Sequence, residues 1–264
     1  MGADLSRPRG YLLDLDGTLY AGGAAVAGAT EALKRLRRSR TPYRLVTNTT
    51  SRSRAGLVDR LHQYGFEVGP DEIFTATVAG CVLARTAGYH RLAPFIMEPA
   101  LEDMEGVELV GGTSGRAADR LPQAIILGDL GERWTYGLLQ EAFEYLMAGA
   151  EFIALSRDKY WLNQGQLALD AGPFAAALEF ATGRNAIVAG KPSPQFYAAA
   201  LQSLGIETAA AVAMVGDDLW SDVEGAQRAG VQGWLVRTGK YRESALQGSG
   251  ITPDRILESI AELG

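Results

Sequence analysis

Short apolar segments alternate with amphipathic helical segments along this chain, and that alternation restricts the fold more than any other feature. Strands are predicted where apolar residues run together, and helices where they recur every three or four positions. Alternation of strands and helices along a chain favours a parallel sheet with helices on its faces. The predicted strands are 11–14, 43–47, 73–74, 92–97, 107–110, 124–127, 152–155, 187–188, 212–215 and 234–236, and the predicted helices are 28–38, 51–65, 78–85, 135–148, 196–204, 221–229 and 256–263.

The alternation restarts in the middle of the chain, which indicates an insertion. A segment rich in Gly, Ser, Thr and charge, 111–120, is predicted to be a loop there. After residue 187 the pattern of the first segment returns. We therefore expect an α/β protein whose core is built from residues 1–77 and 185–264, with an inserted α/β domain over residues 78–184.

Composition excludes several classes of function. A formal net charge of −6 disfavours nucleic acid as the main partner, because proteins that follow a phosphate backbone carry a basic face. The single cysteine cannot form an internal disulfide, and two histidines cannot build a multi-histidine metal site. No segment approaches the roughly 20 apolar residues of a membrane span, and residues 1–10 lack the apolar stretch of a signal peptide. We expect a soluble, cytoplasmic protein without a membrane partner.

Four polar motifs stand at the carboxyl ends of four predicted strands, which is where open α/β sheets place their sites. Each motif alone also fits a turn or a helix cap. Their occurrence together, in order along the chain, favours one shared site. The motifs are Asp14-Leu15-Asp16-Gly17-Thr18, Thr47-Asn48-Thr49-Thr50, Gly190-Lys191-Pro192 and Gly216-Asp217-Asp218-Leu219-Trp220-Ser221-Asp222.

These residue types suit phosphoryl transfer. Asp14 is placed to attack phosphorus as a nucleophilic carboxylate and form an aspartyl-phosphate. Asp16, two residues on, points the same way and can protonate the leaving oxygen and later deprotonate water. Lys191 and Thr47 would hold the phosphoryl oxygens. The clustered acids require a cation, and Mg²⁺ takes carboxylate and phosphate oxygens as ligands.

The order Asp-x-Asp-Gly-Thr, Thr-Asn, Gly-Lys-Pro, Gly-Asp-Asp-x-x-x-Asp resembles that of haloacid dehalogenase (HAD) superfamily phosphohydrolases over nearly the whole chain. The insertion is similar to the large α/β cap of the NagD and p-nitrophenylphosphatase subfamily (subfamily IIA). The resemblance implies a Rossmann-like parallel-sheet core and a cap that roofs the substrate. Further agreement lies in Gly172-Pro173-Phe174, Ala181-Thr182-Gly183-Arg184 and Leu235-Val236-Arg237-Thr238-Gly239.

The resemblance implies a role for each motif residue. It makes Asp14 the nucleophile and Asp16 the general acid/base. Close members of the subfamily carry serine in place of Asp16, so their substrate preference does not transfer directly. Thr49 stands where many members have asparagine, and its hydroxyl can still donate to an oxyanion. The implied magnesium ligands are the Asp14 and Asp217 carboxylates and the Asp16 backbone carbonyl, Asp218 or Asp222 holds the metal waters or the lysine, and Thr47, Asn48, Thr49 and Lys191 bind phosphate.

The cap loop is the candidate specificity segment, because it combines basic, acidic and aromatic groups. It comprises Arg157, Asp158, Lys159 and Tyr160. The alternative is a polar hairpin loop with Trp161 packed into the cap. Members with this cap often pair through it, so a homodimer is an expectation.

The sequence predicts a Mg²⁺-dependent phosphatase acting on a small phosphorylated metabolite through an aspartyl-phosphate. A pyrophosphate or phosphoramidate hydrolase of the same mechanism stays open, as does a non-enzymatic phosphoacceptor or phosphate-binding switch. The inserted domain disfavours the switch. Two carboxylates beyond the nucleophile, Asp16 and Asp217, disfavour a halide-removing hydrolase.

Overall fold

The computed structural model describes residues 7–163 and 166–263, and these divide into two compact units. The core unit takes the chain up to Thr47, Leu57–Phe74 and the chain from Lys191 onwards. The inserted unit takes Asn48–Gly56 and Thr75–Gly190. The predicted inserted domain, 78–184, lies within the range of the second unit, and its role as a cap stays a prediction.

Both units are built from strands and helices in alternation. No helix among the described residues is long and apolar enough to cross a membrane. The strands are β1 Gly10–Asp14, β2 Tyr20–Ala21, β3 Ala24–Ala25, β4 Tyr43–Thr47, β5 Ile73–Thr75, β6 Arg91–Phe95, β7 Glu108–Leu109, β8 Ala124–Leu127, β9 Glu151–Ala154, β10 Tyr160–Asn163, β11 Gln166–Leu169, β12 Ile187–Val188, β13 Val212–Gly216, β14 Gln232–Val236 and β15 Arg255–Leu257. The α-helices are α1 Ala29–Arg38, α2 Arg54–Gln63, α3 Ala76–Thr86, α4 Tyr136–Met147, α5 Ala171–Thr182, α6 Pro194–Leu204, α7 Gly225–Arg228 and α8 Glu243–Ser249.

The core unit contains a six-stranded sheet in the order β15-β14-β13-β1-β4-β5. Strands β4, β1, β13, β14 and β15 run parallel to one another. All residues of β1, β13 and β14 are buried, as expected for parallel strands covered on both faces. In this register Leu13 lies beside Val215 and Asp14 beside Val46, so the carboxyl ends of three neighbouring strands lie at one edge of the sheet. That edge carries three of the four motifs.

The inserted unit contains a five-stranded parallel sheet in the order β12-β9-β8-β6-β7. Its central strands bury Phe95, Ile125 and Phe152 against helices on its faces. Helix α4 begins where the Thr135 hydroxyl accepts the backbone N–H of Leu138, which is a normal N-terminal cap. The predicted alternation of strand and helix in this segment is confirmed.

The predicted terminal helix, 256–263, is wrong. Residues Arg255–Leu257 form strand β15 beside β14, and a short 3₁₀ turn, Ile260–Glu262, follows. Apolar spacing suited a helix, but the sheet edge offered backbone hydrogen bonds, and Ser259 in an extended conformation starts the turn. Tertiary pairing here outweighed local periodicity.

Several helix starts also differ from the prediction; α3 and α6 each begin two residues earlier than predicted. Helix α2 begins at Arg54 rather than Ser51, because the Ser53 hydroxyl accepts the Gly56 N–H. The helix predicted over 221–229 begins earlier, as a wide π-type turn over Leu219–Glu224 that passes into α7. Asp218 caps that turn, so its carboxylate, not a later residue, fixes the helix start.

The reactivity of the single cysteine tests whether helix α3 is packed as the structure shows. Cys81 lies in α3, is 2% exposed, and burial raises the pKa of its thiol to about 12. Because the thiolate is the reactive form, we expect native protein at about pH 8 to resist iodoacetamide, and urea-unfolded protein to react fully. Mass spectrometry of the intact chain reads the result, with glutathione as the reactive control. Stoichiometric labelling of the native protein would contradict this packing.

Candidate active site

Three buried carboxylates meet at the carboxyl ends of β1 and β13. Asp14 ends β1, Asp217 follows β13, and Asp222 lies in the π-type turn beyond it. One carboxylate oxygen from each lies within 4.8 Å of the others. Their exposed fractions are 7%, 3% and 1%, so the three negative charges are largely removed from water. Such a cluster is costly unless cations compensate it.

Lys191 supplies one of those cations. Its Nζ donates to Asp14 Oδ1 at 2.5 Å and to Asp222 Oδ1 at 2.7 Å. The lysine is itself 4% exposed. Burial opposes its charge, but the two carboxylates hold its pKa well above the usual range. Lys191 is therefore an ammonium that joins the motif of β1 to that of β13.

One ammonium does not balance three carboxylates. Burial, then the charges of Asp14 and Asp222, raise the pKa of Asp217 to about 8. Burial also raises the pKa of Asp222 to about 6 and that of Asp14, although Lys191 opposes both shifts. A divalent cation would remove this imbalance. Carboxylate oxygens at this spacing fit the donor set that Mg²⁺ prefers.

Backbone groups hold Asp217 from two loops. Its Oδ2 accepts the N–H of Lys240 at 2.6 Å. Gly17 and Gly239, both at positive φ, lie so close that an added Cβ would sit 1.9 and 2.0 Å from that oxygen. Any side chain at either glycine would displace the carboxylate. No motif predicted the part played by Lys240 and Gly239, although Gly239 ends the segment 235–239 that carries part of the family resemblance and Lys240 follows it directly.

Asp218 and Asp222 have different partners. Asp218 accepts the N–H groups of Trp220 and Ser221, and its second oxygen lies 3.0 Å from Lys240 Nζ. Asp222 Oδ2 accepts the Asp218 N–H at 3.1 Å while Oδ1 accepts Lys191. The structure thus places Asp222 against Lys191 and Asp218 against Lys240.

Asp16 lies two residues beyond Asp14 and is exposed. Its carboxylate makes no hydrogen bond or ion pair to another residue in the described part of the chain. Its backbone is fixed by the turn it occupies, in which Gly17 N–H donates to Tyr20 O at 2.7 Å. An exposed, unpaired carboxylate next to a buried one suits a group that exchanges protons with substrate and water.

The second motif is divided between the two units. Thr47 ends β4 in the core unit and is buried, next to β1. Asn48 and Thr49 belong to the inserted unit, where Asn48 Oδ1 lies 2.8 Å from where a Cβ of Gly190 would be. Thr50, further on, accepts the Asp129 N–H at 2.9 Å. Their binding of phosphate stays a prediction.

The candidate specificity loop lies in the inserted unit. Arg157 forms an ion pair with Glu179 at 2.6 Å, and the Asp158 N–H donates to Ser156 Oγ. Lys159 and Tyr160 are exposed. Strands β10 and β11 pair antiparallel, as the hairpin of the alternative predicts, but Trp161 on β10 is 42% exposed rather than packed. Contact of these residues with substrate stays a prediction.

Comparison with known proteins identifies the family. The profile of haloacid dehalogenase-like hydrolases matches residues 11–109, and a second HAD-like hydrolase profile matches 188–263. Human phospholysine phosphohistidine inorganic pyrophosphate phosphatase is 37% identical over 269 residues, covering 99% of this chain and 94% of that protein. Human haloacid dehalogenase-like hydrolase domain-containing protein 2 is 42% identical over 239 residues, covering 89% and 86%.

Solved structures agree with the sequence comparison. A p-nitrophenyl phosphatase from Archaeoglobus fulgidus aligns with a TM-score of 0.86 and 28% identity, covering 97% of each chain. A glycerol phosphate phosphatase from Mycobacterium tuberculosis, in complex with magnesium, aligns with a TM-score of 0.83 and 27% identity, covering 100% of this chain and 78% of that one. The predicted fold class, a Rossmann-like HAD core with a large insertion, is confirmed.

The raised carboxylate pKa values predict how a divalent metal held by this cluster would stabilise the protein. Without metal, the folded state binds more protons than the unfolded state between roughly pH 4 and 8, so stability falls as pH rises through that window. Mg²⁺ competes with those protons. We expect the gain in Tm on replacing EDTA with MgCl₂ to be larger at about pH 8 than at about pH 6.

Differential scanning calorimetry measures this, with Asp217→Asn as the variant that should lose most of the gain. The exposed Asp71→Asn serves as the control for a lost surface carboxylate. An equal gain in Tm at both pH values would contradict the assignment of the raised pKa values to the metal-binding carboxylates.

Proposed function

Because the chain belongs to the haloacid dehalogenase-like hydrolases, in the NagD and p-nitrophenylphosphatase subfamily of phosphohydrolases, we propose that it is a Mg²⁺-dependent phosphatase using an aspartyl-phosphate. Its substrate is a small phosphorylated metabolite. The observation that carries the proposal is the buried ammonium of Lys191, bonded to Asp14 within a group of three carboxylates. This group holds a nucleophile in place and has excess negative charge for a metal.

The first half-reaction follows from the different surroundings of the two carboxylate oxygens of Asp14. Lys191 occupies Oδ1, which leaves Oδ2 to attack phosphorus. The Oδ2–P bond forms as the bond from phosphorus to the leaving oxygen breaks. Asp16 gives its proton to that oxygen, so the product departs as a neutral alcohol. Asp16 is then a carboxylate.

The second half-reaction reverses the role of Asp16. The Asp16 carboxylate takes a proton from water as the water oxygen bonds to phosphorus. The bond from phosphorus to Asp14 breaks, which releases inorganic phosphate and restores the nucleophile. Lys191 stays bonded to Asp14 and Asp222 and thereby keeps the carboxylate oriented through both steps.

The remaining motif residues bind phosphate and metal. Thr47, Asn48, Thr49 and Lys191 donate to the phosphoryl oxygens. The Asp14 and Asp217 carboxylates and the Asp16 carbonyl would hold Mg²⁺, and Asp218 and Asp222 would orient its waters and Lys191. Bound Mg²⁺ supplies neutralisation of the charge that develops on the phosphoryl oxygens.

Two substrate classes have support from named relatives. Similarity to a glycerol phosphate phosphatase supports a phosphomonoester. Similarity to phospholysine phosphohistidine inorganic pyrophosphate phosphatase supports the alternative, a pyrophosphate or phosphoramidate. In either case Arg157, Asp158, Lys159 and Tyr160 contact the leaving group, and a homodimer forms through the inserted unit. A chain whose one cysteine is buried and unpaired suits a reducing compartment such as the cytoplasm.

Replacing the nucleophile tests the mechanism. We expect Asp14→Asn to lower phosphate release at least about a thousandfold, because an amide cannot form the aspartyl-phosphate. Release from a panel of phosphomonoesters, pyrophosphate and phosphoramidate is measured with Mg²⁺ and with EDTA. Asp71→Asn, an exposed carboxylate outside the site, should match wild type. Full activity in Asp14→Asn, with its circular dichroism unchanged, would remove Asp14 from the reaction.

Replacing the general acid/base gives a graded effect. We expect Asp16→Ala to lower the rate by roughly 10²–10⁴, the usual contribution of a positioned acid or base. Asp16 is exposed, so its loss should leave the Tm close to that of wild type. Steady-state kinetics beside calorimetry check both parts. An unchanged rate would assign proton transfer to another group.

A further inference from the structure

A tight backbone turn connects Asp16 to Tyr20. The Leu15 carbonyl accepts the N–H groups of Leu19 at 2.9 Å and Tyr20 at 3.3 Å. In return the Tyr20 carbonyl accepts the Gly17 N–H at 2.7 Å, and Asp16 and Tyr20 form a bridge of β type. The backbone position of Asp16 is therefore set by where Tyr20 is held.

Two side chains from the region of α2 hold the Tyr20 ring. The Arg60 guanidinium carbon lies 4.9 Å from the ring centroid, which is a cation–π distance. The ring of Tyr64 lies 5.2 Å away, centroid to centroid, and the Arg60 Nε donates to its hydroxyl at 3.4 Å. Tyr20 is 4% exposed as a result. All three residues belong to the core unit, so this anchor attaches the turn to the core itself.

The position of Asp16 depends on this anchor because its own side chain has none. Its exposed carboxylate bonds to no side chain of the described residues, whereas Asp14 next to it is held by Lys191. The charge of Asp16 also reaches the anchor. Burial first, and then that charge, raise the pKa of Tyr20 above its usual range.

We propose that Arg60, acting through the Tyr20 ring, is a positioning residue for the proton transfers of Asp16. The proposal rests on the proposed function, since it presupposes that Asp16 is the general acid/base. Arg60 touches neither the carboxylate cluster nor Lys191 through any hydrogen bond or ion pair of the described residues. It fixes the turn, and the turn fixes the distance from Asp16 to the leaving oxygen.

A misplaced general acid lowers the rate to an extent that depends on the leaving group, whereas a general loss of structure lowers the rate for every substrate. An alkoxide leaving group is a strong base and needs a proton as its bond to phosphorus breaks. A nitrophenolate is a weak base and leaves without one. Because kcat/KM reports steps up to the first irreversible one, loss of acid positioning should lower kcat/KM for an alkyl phosphate but not for p-nitrophenyl phosphate.

The test compares Arg60→Met and Arg60→Lys with a matched control, Arg255→Met. Arg255 lies the same 4.9 Å over the Trp234 ring, in the same unit, but on β15 and away from the acidic motifs. Arg60→Met loses cation–π contacts with Tyr20 and Tyr64 and a hydrogen bond to the Tyr64 hydroxyl, whereas Arg255→Met loses one cation–π contact, with Trp234. A purely structural role predicts losses that are the same for both substrates in either variant. Glycerol phosphate and p-nitrophenyl phosphate are the two substrates.

We expect Arg60→Met to lower kcat/KM for glycerol phosphate about tenfold and that for p-nitrophenyl phosphate less than about twofold. Arg60→Lys, which keeps the cation over the ring, should recover most of the loss. Arg255→Met should match wild type with both substrates. If Arg60→Met folds poorly, Tyr20→Leu removes the other half of the anchor and should show the same substrate dependence.

Equal losses with both substrates in Arg60→Met, or no loss with either, would overturn the proposal. Asp16→Ala distinguishes failure of the positioning role from failure of the proposed function. If Asp16→Ala loses activity selectively with glycerol phosphate and Arg60→Met does not, the function stands and the positioning role fails. If Asp16→Ala shows no selectivity, the acid role of Asp16 fails, and the role of Arg60 fails with it.

Discussion

The pairing of one buried ammonium with two buried carboxylates is the constraint on which the rest of this structure depends. Lys191 bonds to Asp14 and Asp222, and each of the three would be costly to bury alone. Removing one partner of a buried pair costs about 3–5 kcal/mol, because it leaves an uncompensated charge. The chain therefore has to bring the carboxyl ends of β1 and β13 together. Where the chain re-enters the core unit, the side chain of Lys191 has to be directed to those two strand ends.

The same group keeps a surplus of negative charge that protein cations do not remove. Gly17 and Gly239 allow two backbone loops to approach Asp217 more closely than any residue with a side chain could. Gly216 does the same for Asp222, where an added Cβ would lie 2.1 Å from Oδ2. The fold thus holds the carboxylates in place and leaves them a negative charge that suits a divalent metal. Rigid placement of charge before the reaction is what lowers the barrier to phosphoryl transfer.

Much of the fold and of the candidate site could be predicted from the sequence, because the parallel strands are short, apolar and followed by polar motifs. Three predicted strands, 43–47, 124–127 and 187–188, have the predicted bounds. The family, the fold and the carboxylates of Asp14, Asp217 and Asp222 followed from motif order. Contacts between distant loops were not readable: Lys240 donates to Asp217 across 23 positions, and Arg60 lies over Tyr20. The terminal helix failed because a free sheet edge outweighed its helical spacing.

In the proposed mechanism the phosphoryl group is transferred first to Asp14 and then to water. Each in-line displacement inverts the configuration at phosphorus, so two successive displacements restore it. The most direct measurement is the stereochemical course with a hydrolysable phosphomonoester made chiral at phosphorus by oxygen isotopes, with sulfur replacing one oxygen. Transfer through an aspartyl-phosphate gives net retention. Net inversion would show that water attacks the substrate directly, and it would contradict an aspartyl-phosphate on Asp14.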